Sequence, residues 1–130
     1  MTTDSHILYI EDERPVIELV RVALQMLGYK LTGATSGTEG LALMRQQRPD
    51  LVLLDLMMPE PNGWQVYREM KTDEALADVP VIIVTASISE GNSRVLFDDL
   101  PPVEDYITKP FDMLRLIRVV EQILNREASD

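Results

Sequence analysis

The sequence of 130 residues contains no cysteine and only one histidine, His6. Disulfide bonds, thiolate catalysis and cysteine metal sites are therefore excluded, as is a metal site built from several histidines. Long apolar stretches are missing too, because Leu51–Leu54 and Val79–Val84 fall far short of the roughly 20 residues that span a bilayer. The N-terminal residues lack the basic start and apolar core of a signal peptide. We therefore expect a cytoplasmic protein that does not associate with membranes.

Basic residues are scarce relative to acidic ones. Lysine and arginine number 12 against 22 aspartates and glutamates, which gives a formal net charge of −10. A field of this sign repels nucleic acid phosphates and anionic membrane surfaces, so direct binding of nucleic acid is not expected. A divalent cation or a positively charged face of a partner protein would be attracted instead.

The length fits one domain, with a core over about residues 6–125 and a tail over 126–130. Short apolar runs alternate with amphipathic segments, which predicts βα units around a parallel sheet. Strands are expected at Ile7–Ile10, Lys30–Ala34, Leu51–Leu54, Val81–Val84 and Asp105–Thr108. The pattern as a whole predicts an α/β fold of the (βα)5 type, doubly wound with helices on both faces of the sheet.

The helices between these strands have recognisable boundaries. Gly28 ends the first helix, and Ser36 caps the second with Glu39 as its capping-box partner. The third helix is expected from near Gly63 to about Lys71. By the same reasoning Asp112 caps the last helix.

One helix is poorly supported. A fourth helix should lie within Ser87–Val103, but Gly91 and Asn92 are poor helix formers and Pro101-Pro102 ends any helix before it. We therefore expect a short or atypical fourth helix.

Polar residues follow four of the five strands. The first strand ends in Glu11-Asp12-Glu13, the third in Asp55, the fourth in Thr85, and the fifth near Lys109. Doubly wound folds bind their ligands at the carboxyl ends of the strands, where the strand order reverses. We therefore expect these carboxylates, the hydroxyl and the ammonium group to meet at one edge of the sheet.

This set of side chains suits phosphate chemistry. Clustered carboxylates repel one another unless a cation lies among them, and oxygen ligands favour Mg²⁺. Phosphoryl transfer needs mainly positioning and neutralisation of charge, which a nearby lysine such as Lys109 can supply. A carboxylate such as Asp55 can itself be the nucleophile and form an aspartyl phosphate.

Four segments of the chain carry recognisable motifs. They are Ile7-Leu-Tyr-Ile-Glu-Asp-Glu, Leu51-Val-Leu-Leu-Asp-Leu-Met-Met-Pro-Glu-Pro-Asn-Gly, Val81-Ile-Ile-Val-Thr-Ala and Asp105-Tyr-Ile-Thr-Lys-Pro-Phe. In order and spacing they resemble the response-regulator receiver family of two-component signal transduction, which includes chemotaxis regulators, and the resemblance extends from roughly Ile7 to Leu124. The resemblance implies a flavodoxin-like sheet of five parallel strands in the order 2-1-3-4-5.

The resemblance also implies the roles of the residues that surround the expected phosphorylation site. Asp55 matches the phosphoacceptor, and Glu11 and Asp12 match the acidic pair that holds Mg²⁺ directly or through water. Met57 would contribute its backbone carbonyl to the metal. Lys109 would pair with the phosphoryl group and be joined to the following proline by a cis peptide bond.

Two further residues match the switch of the family. Thr85 would hydrogen-bond the phosphoryl group, and Tyr106 would turn inward as Thr85 moves. The implied partners are a sensor histidine kinase or a phosphotransfer protein, and a downstream effector that the sequence does not name. The implied catalysis is limited to the domain's own Mg²⁺-dependent phosphorylation and dephosphorylation. Homodimerisation stays open, as does the question of whether the chain acts alone or within a longer protein.

Two departures from the family pattern stand out. Leu100-Pro-Pro-Val-Glu replaces the small Gly-Ala pair that usually precedes the fifth strand, and Glu11 stands where aspartate is commoner. The first departure favours an alternative reading, a protein-interaction module on the same fold that works without phosphorylation.

Other enzymes on a similar sheet fit less well. An aspartate-nucleophile phosphatase would need a second aspartate where Met57 stands, and no phosphate-binding P-loop is present. Met57, Met58 and Trp64 are interpreted as packing or partner contacts. His6 is expected before the first strand as an exposed terminal residue.

Overall fold

The computed structural model describes residues 5–86, 97 and 99–128, with side chains described as far as residue 125. Five parallel strands form one sheet in the order β2-β1-β3-β4-β5. The strands are β1 (His6–Ile10), β2 (Lys30–Ala34), β3 (Leu51–Leu54), β4 (Val81–Thr85) and β5 (Asp105–Thr108). This confirms the predicted doubly wound α/β fold and its strand order.

Four helices lie within the described residues: α1 (Arg14–Gln25), α2 (Gly37–Gln46), α3 (Gly63–Lys71) and α4 (Met113–Ala128). The predicted fourth helix of the chain falls largely outside the described residues, so the label α4 belongs to the last helix. The described residues of that stretch, Phe97 and Asp99–Val103, contain no helical residue. None of the described helices is both long and apolar enough to cross a bilayer.

Side chains of the strands point alternately to the two faces of the sheet, which creates two buried apolar layers. On one face, Ile7 and Leu53 belong to a cluster with Leu24 of α1 and Leu116 of α4. On the other face, a second cluster packs against α2 and α3, and its members include Leu8, Ile10, Met44, Val66 and Met70. Every residue of β3 is buried because this strand lies in the middle of the sheet between both layers.

Residues close to the helix ends determine where the helices begin and stop. Ser36 caps α2 by accepting a hydrogen bond from the backbone N–H of Glu39 at 3.1 Å. The predicted capping box does not form, because the Glu39 carboxylate accepts a hydrogen bond from the backbone N–H of Thr35, at 2.8 Å, instead of from that of Ser36. Gly28, after α1, adopts φ 92°, which favours glycine. Asp112 accepts from the N–H of Leu114 at 2.9 Å, in agreement with its predicted role as a cap.

Two further expectations from the sequence are corrected. His6 is the first residue of β1 rather than an exposed terminal residue, because it pairs with Lys30 of β2. Its Nε2 lies 2.8 Å from the Thr32 hydroxyl, and its backbone N–H donates to the Asp50 carboxylate at 2.7 Å. The last helix also continues to Ala128, past the expected start of the tail at 126, because neither glycine nor proline interrupts it.

Candidate functional site

The register of the sheet brings the predicted site residues to one edge. Ile10 of β1 lies opposite Leu54 of β3, so Glu11 and Asp55 leave neighbouring strands side by side. At the other end of the site, Thr85 of β4 lies opposite Thr108 of β5. Lys109 follows directly, and its N–H donates to the Thr85 carbonyl at 3.0 Å.

Three carboxylates converge at this edge. Glu11, Asp12 and Asp55 each offer one oxygen atom, and these atoms lie within 4.8 Å of one another. Glu11 is fully buried, Asp55 is 4% exposed, and Asp12 faces solvent. Hard oxygen donors at this spacing are suited to a divalent cation, so the residues fit the metal site that the sequence predicts.

Lys109 supplies positive charge within the cluster. Its Nζ forms an ion pair with Glu11 and a second with Oδ2 of Asp55 at 3.3 Å. Burial alone would lower the pKa of Lys109, but the hydrogen bond to Glu11 and the charges of Asp55 and Glu11 raise the pKa above its usual value. The peptide bond between Lys109 and Pro110 is cis, as the family resemblance implied.

Three donors hold the carboxylate of Glu11. Its Oε2 accepts from the backbone N–H of Glu13 at 3.1 Å, and its Oε1 accepts from Lys109 and from the Tyr9 hydroxyl, the latter at 3.4 Å. Burial raises the pKa of Glu11, while the hydrogen bonds from Lys109 and Glu13 lower it. Burial and the nearby carboxylates also raise the pKa of Tyr9, so its hydroxyl remains a donor.

The loop after β3 is fixed at both ends. Asp55 Oδ1 accepts a hydrogen bond from the N–H of Met57 at 3.1 Å, and the N–H of Gly63 donates to the Leu56 carbonyl at 3.1 Å. A Cβ atom on Gly63 would lie 2.5 Å from the Leu56 Cα and closer still to the Asp55 carbonyl oxygen. Only glycine therefore allows the N-terminus of α3 to approach the backbone of Asp55.

The remaining predicted residues lie around this centre. Thr85 is fully buried, whereas the side chain of Met57 is 59% exposed, so it does not point into the core. Tyr106 lies opposite Ile83, two residues before Thr85, so the side chains of Thr85 and Tyr106 share one face of the sheet. Tyr106 is half-buried against the apolar cluster of α2 and α3. This arrangement suits the predicted switch, whose operation stays a prediction.

Two grooves flank the site. One, of about 390 Å³, is lined by Leu56, Met57, Met58, Pro59, Asn62 and Trp64. The other, of about 350 Å³, is lined by Val16, Leu19, Lys109, Pro110, Phe111 and Met113. Met58 is buried, in line with a packing role, but Met57 is exposed beside the site.

Two residues of this site were missed by the sequence analysis. Tyr9 lies in β1, two positions before Glu11, which directly follows the strand. A polar group at that spacing was therefore a usable signal. Gly63 was interpreted only as a helix start, although it closes the segment that begins at Asp55. The cis bond between Glu60 and Pro61 was not predicted either.

Comparison with known proteins agrees with this geometry. Residues 7–121 match the response regulator receiver domain family, and the chain belongs to that family. It is 38% identical over 120 residues to the DNA-binding dual master transcriptional regulator RpaA of Synechocystis sp., covering 92% of this chain and 49% of that protein. It is 37% identical to the phosphate regulon transcriptional regulatory protein PhoB of Pseudomonas aeruginosa, covering 92% of this chain and 52% of that protein.

Solved structures support the same assignment. The receiver domain of the Francisella response regulator 1452 superposes with a TM-score of 0.84 at 26% identity, covering 95% of this chain and 99% of that one. A CheY-like receiver domain protein from Methanospirillum hungatei gives a TM-score of 0.86 at 22% identity, covering 98% of each chain, which supports the fold alone. The chain is thus a receiver domain of two-component response regulators, and it spans about half the length of the curated relatives it matches.

Proposed function

We propose that Asp55 accepts a phosphoryl group from a phosphohistidine on a sensor kinase or a phosphotransfer protein. The observation that supports this proposal is the arrangement of charged groups around Asp55. This nearly buried carboxylate lies 3.3 Å from Lys109 Nζ and offers an oxygen within 4.8 Å of the oxygens of Glu11 and Asp12. The chain would act as a single receiver domain in the cytoplasm, where such kinases present their phosphohistidines.

In the transfer step, a carboxylate oxygen of Asp55 forms the new bond to phosphorus. The bond between phosphorus and the donor's imidazole nitrogen breaks, and its electron pair remains on that nitrogen. Lys109 offsets the negative charge of the phosphoryl oxygens, since its ammonium group already contacts Asp55. The N–H of Met57 keeps the other carboxylate oxygen in place.

We infer that the metal of this site is Mg²⁺, held by the side chains of Glu11, Asp12 and Asp55 and by the backbone carbonyl of Met57. When bound, Mg²⁺ neutralises charge on the phosphoryl oxygens. This chain's carboxylates set where the phosphoryl group can sit, because two of them are buried and held by hydrogen bonds. The exposed Asp12 leaves the metal position open to water and to the incoming phosphate.

The phosphoryl group would then act as a switch. It adds negative charge and acceptor oxygens beside Thr85, whose hydroxyl can donate to it. A shift of Thr85 vacates space on the face that it shares with Tyr106, which favours the inward position of the tyrosine. Phosphorylation thus shifts an existing equilibrium between two surfaces, one of which an effector recognises.

The direct test is intact mass after incubation with acetyl phosphate and Mg²⁺. A phosphate-sized gain is expected in the wild-type protein, and it should be lost in Asp55→Asn and in the presence of a chelator. The matched control is Asp78→Asn, an exposed aspartate that precedes β4, which should label normally. Labelling that survives Asp55→Asn would reject the assignment of the phosphoacceptor.

The downstream partner is a separate part of the proposal. RpaA is described as DNA-binding and PhoB as a transcriptional regulatory protein, but this chain covers only about half of each. Its net charge of −10 supports an output through another protein or domain rather than through direct contact with nucleic acid. Sedimentation before and after labelling would test whether the chain forms a homodimer.

A further inference from the structure

We propose that Tyr9 is a positioning residue of the phosphoryl-transfer site. Its hydroxyl holds the carboxylate of Glu11 in place through a hydrogen bond. The inference rests on the proposed function and adds a residue from the core of the sheet to it. Tyr9 touches neither the phosphoryl group nor the metal. It acts through the carboxylate of Glu11.

The position of Tyr9 is unusual for a polar group. Its side chain is fully buried in the apolar layer that contains Leu53, Val84 and Leu116. A buried phenol needs a hydrogen-bond partner, and its hydroxyl donates to Glu11 Oε1 at 3.4 Å. Glu11 directly follows β1 and stands two residues after Tyr9, and this spacing directs both side chains to the same side of the sheet.

The identity of residue 11 explains why such a support is useful. Glutamate has one more rotatable bond than aspartate, so its carboxylate needs additional contacts to be fixed. Lys109 provides one contact but must also serve Asp55 and the incoming phosphoryl group. Tyr9 and the N–H of Glu13 are the donors that have no second task at the site.

A hydrogen bond of this kind affects metal binding without contacting the metal. Partners of metal ligands keep the ligands oriented, and their removal typically lowers metal affinity about 10- to 100-fold. Because the Tyr9 bond is long and Glu13 also holds Glu11, we expect a smaller loss. Tyr9→Phe should raise the dissociation constant for Mg²⁺ by about threefold to tenfold.

The experiment measures Mg²⁺ binding by calorimetry and the Mg²⁺ dependence of acetyl phosphate labelling. Phenylalanine keeps the buried ring of Tyr9, so the variant should fold and reach the same final labelling at saturating Mg²⁺. The matched control is Tyr67→Phe, which removes another tyrosine hydroxyl that donates to the Pro101 carbonyl, at 2.5 Å. This control should leave the Mg²⁺ dissociation constant unchanged.

A double-mutant cycle isolates the contact. The shorter side chain of Glu11→Asp withdraws from the Tyr9 hydroxyl, so Tyr9→Phe in that background should change Mg²⁺ affinity by less than about twofold. If Tyr9→Phe changes Mg²⁺ affinity equally in both backgrounds, or does not change it in the wild-type background, the role of Tyr9 is overturned and the proposed function is not. A wild-type protein that neither binds Mg²⁺ nor labels would overturn the proposed function together with it.

Discussion

At the scale of single residues, the site depends on charges that the sequence places far apart. Lys109 and Glu11 are separated by 98 positions, yet they form an ion pair within the site. Asp55 shares the same ammonium group. Lys109 therefore has two effects that oppose each other, because it balances buried carboxylates and also competes with a cation for them.

The first prediction concerns Lys109→Met. In Mg²⁺-free buffer, the variant should lose up to about 3 kcal/mol of unfolding free energy, since the buried Glu11 loses the ammonium group that balances its charge. Its Mg²⁺ dissociation constant should fall, because the competing cation is gone, while labelling by acetyl phosphate becomes slower. Urea unfolding, calorimetry and labelling rates check the three outcomes.

The matched control for this variant is Lys30→Met, at an exposed lysine that begins β2. All three quantities should stay near wild-type values in the control. Weaker Mg²⁺ binding in Lys109→Met would contradict the competition between the lysine and the metal.

The second prediction concerns Gly63→Ala. The new methyl group would collide with backbone atoms of Asp55 and Leu56, which cannot rotate away as a flexible side chain can. We expect a loss of about 2 kcal/mol in unfolding free energy together with slower labelling. Chemical unfolding and intact mass provide the measurements, and Glu74→Ala, at an exposed position, serves as the control. A variant with wild-type stability would show that α3 can withdraw from the loop at little cost.

At the scale of elements, α3 connects the site to the chain before β5. Its N-terminus contacts the backbone of Asp55 through Gly63. Arg68, one turn further along, makes two hydrogen bonds to Asp99 at 3.1 and 3.0 Å, and its guanidinium lies 4.3 Å from the centre of the Phe97 ring. Trp64 meets the same ring edge-on, with centroids 6.1 Å apart. α3 thus contacts the segment before β5, which includes Phe97, Asp99 and the atypical Pro101-Pro102 pair.

The third prediction follows from these contacts. The Leu100 amide donates a hydrogen bond to the Phe97 carbonyl. Arg68→Ala should speed hydrogen exchange of this amide, because the variant loses both the ion pair with Asp99 and the contact of the guanidinium with the Phe97 ring. Global stability should change little, since Arg68 and Asp99 are exposed. Exchange followed by mass spectrometry or NMR measures the effect.

Arg45→Ala is the control for the third prediction. Arg45 on α2 forms surface ion pairs of similar kind with Glu69 and Asp73, and neither of these partners belongs to the segment before β5. Leu100 should exchange at the wild-type rate in this control. Unchanged exchange in Arg68→Ala would mean that the segment is held by the Tyr67 hydrogen bond and apolar packing instead.

At the scale of the whole molecule, excess negative charge makes the fold sensitive to cations. The net charge is −10, and three carboxylates meet at one edge of the sheet. A ligand that binds only the folded state stabilises it in proportion to the logarithm of its concentration above the dissociation constant. Cation binding at this edge should therefore appear as a gain in thermal stability.

The fourth prediction is that millimolar Mg²⁺ raises the melting temperature of the wild-type protein relative to buffer with a chelator. Asp12→Asn should abolish most of this gain, because the exposed carboxylate is one of the three that can contact the ion. Its metal-free stability should be equal or slightly higher, since repulsion with Glu11 and Asp55 decreases. Asp78→Asn should respond as the wild type does. A full Mg²⁺ response in Asp12→Asn would place the ion elsewhere.

Much of the fold could be predicted because it is encoded locally. The apolar run Leu51–Leu54 defined β3 within its observed bounds, since a central strand is buried on both faces. Asp112 and Ser36 marked helix starts because capping involves residues only a few positions apart. The boundary of β1 was misjudged by one residue, at His6, because a pairing with β2 decides it.

The candidate site also has features that the sequence predicts and features that only the tertiary structure shows. The sequence by itself determined which residues stand at the carboxyl ends of the strands, since Glu11-Asp12, Asp55 and Lys109 directly follow predicted strands. Only the tertiary structure decided that Lys109 pairs with Glu11, that the buried Tyr9 hydroxyl donates to Glu11, and that Gly63 must lack a side chain. The contacts of Lys109 and Gly63 depend on strand register and on the close approach of a helix to a loop, and no local sequence pattern encodes such distances. Tyr9 and Glu11 are only two positions apart, but the apolar layer that buries the tyrosine is assembled from distant segments of the chain.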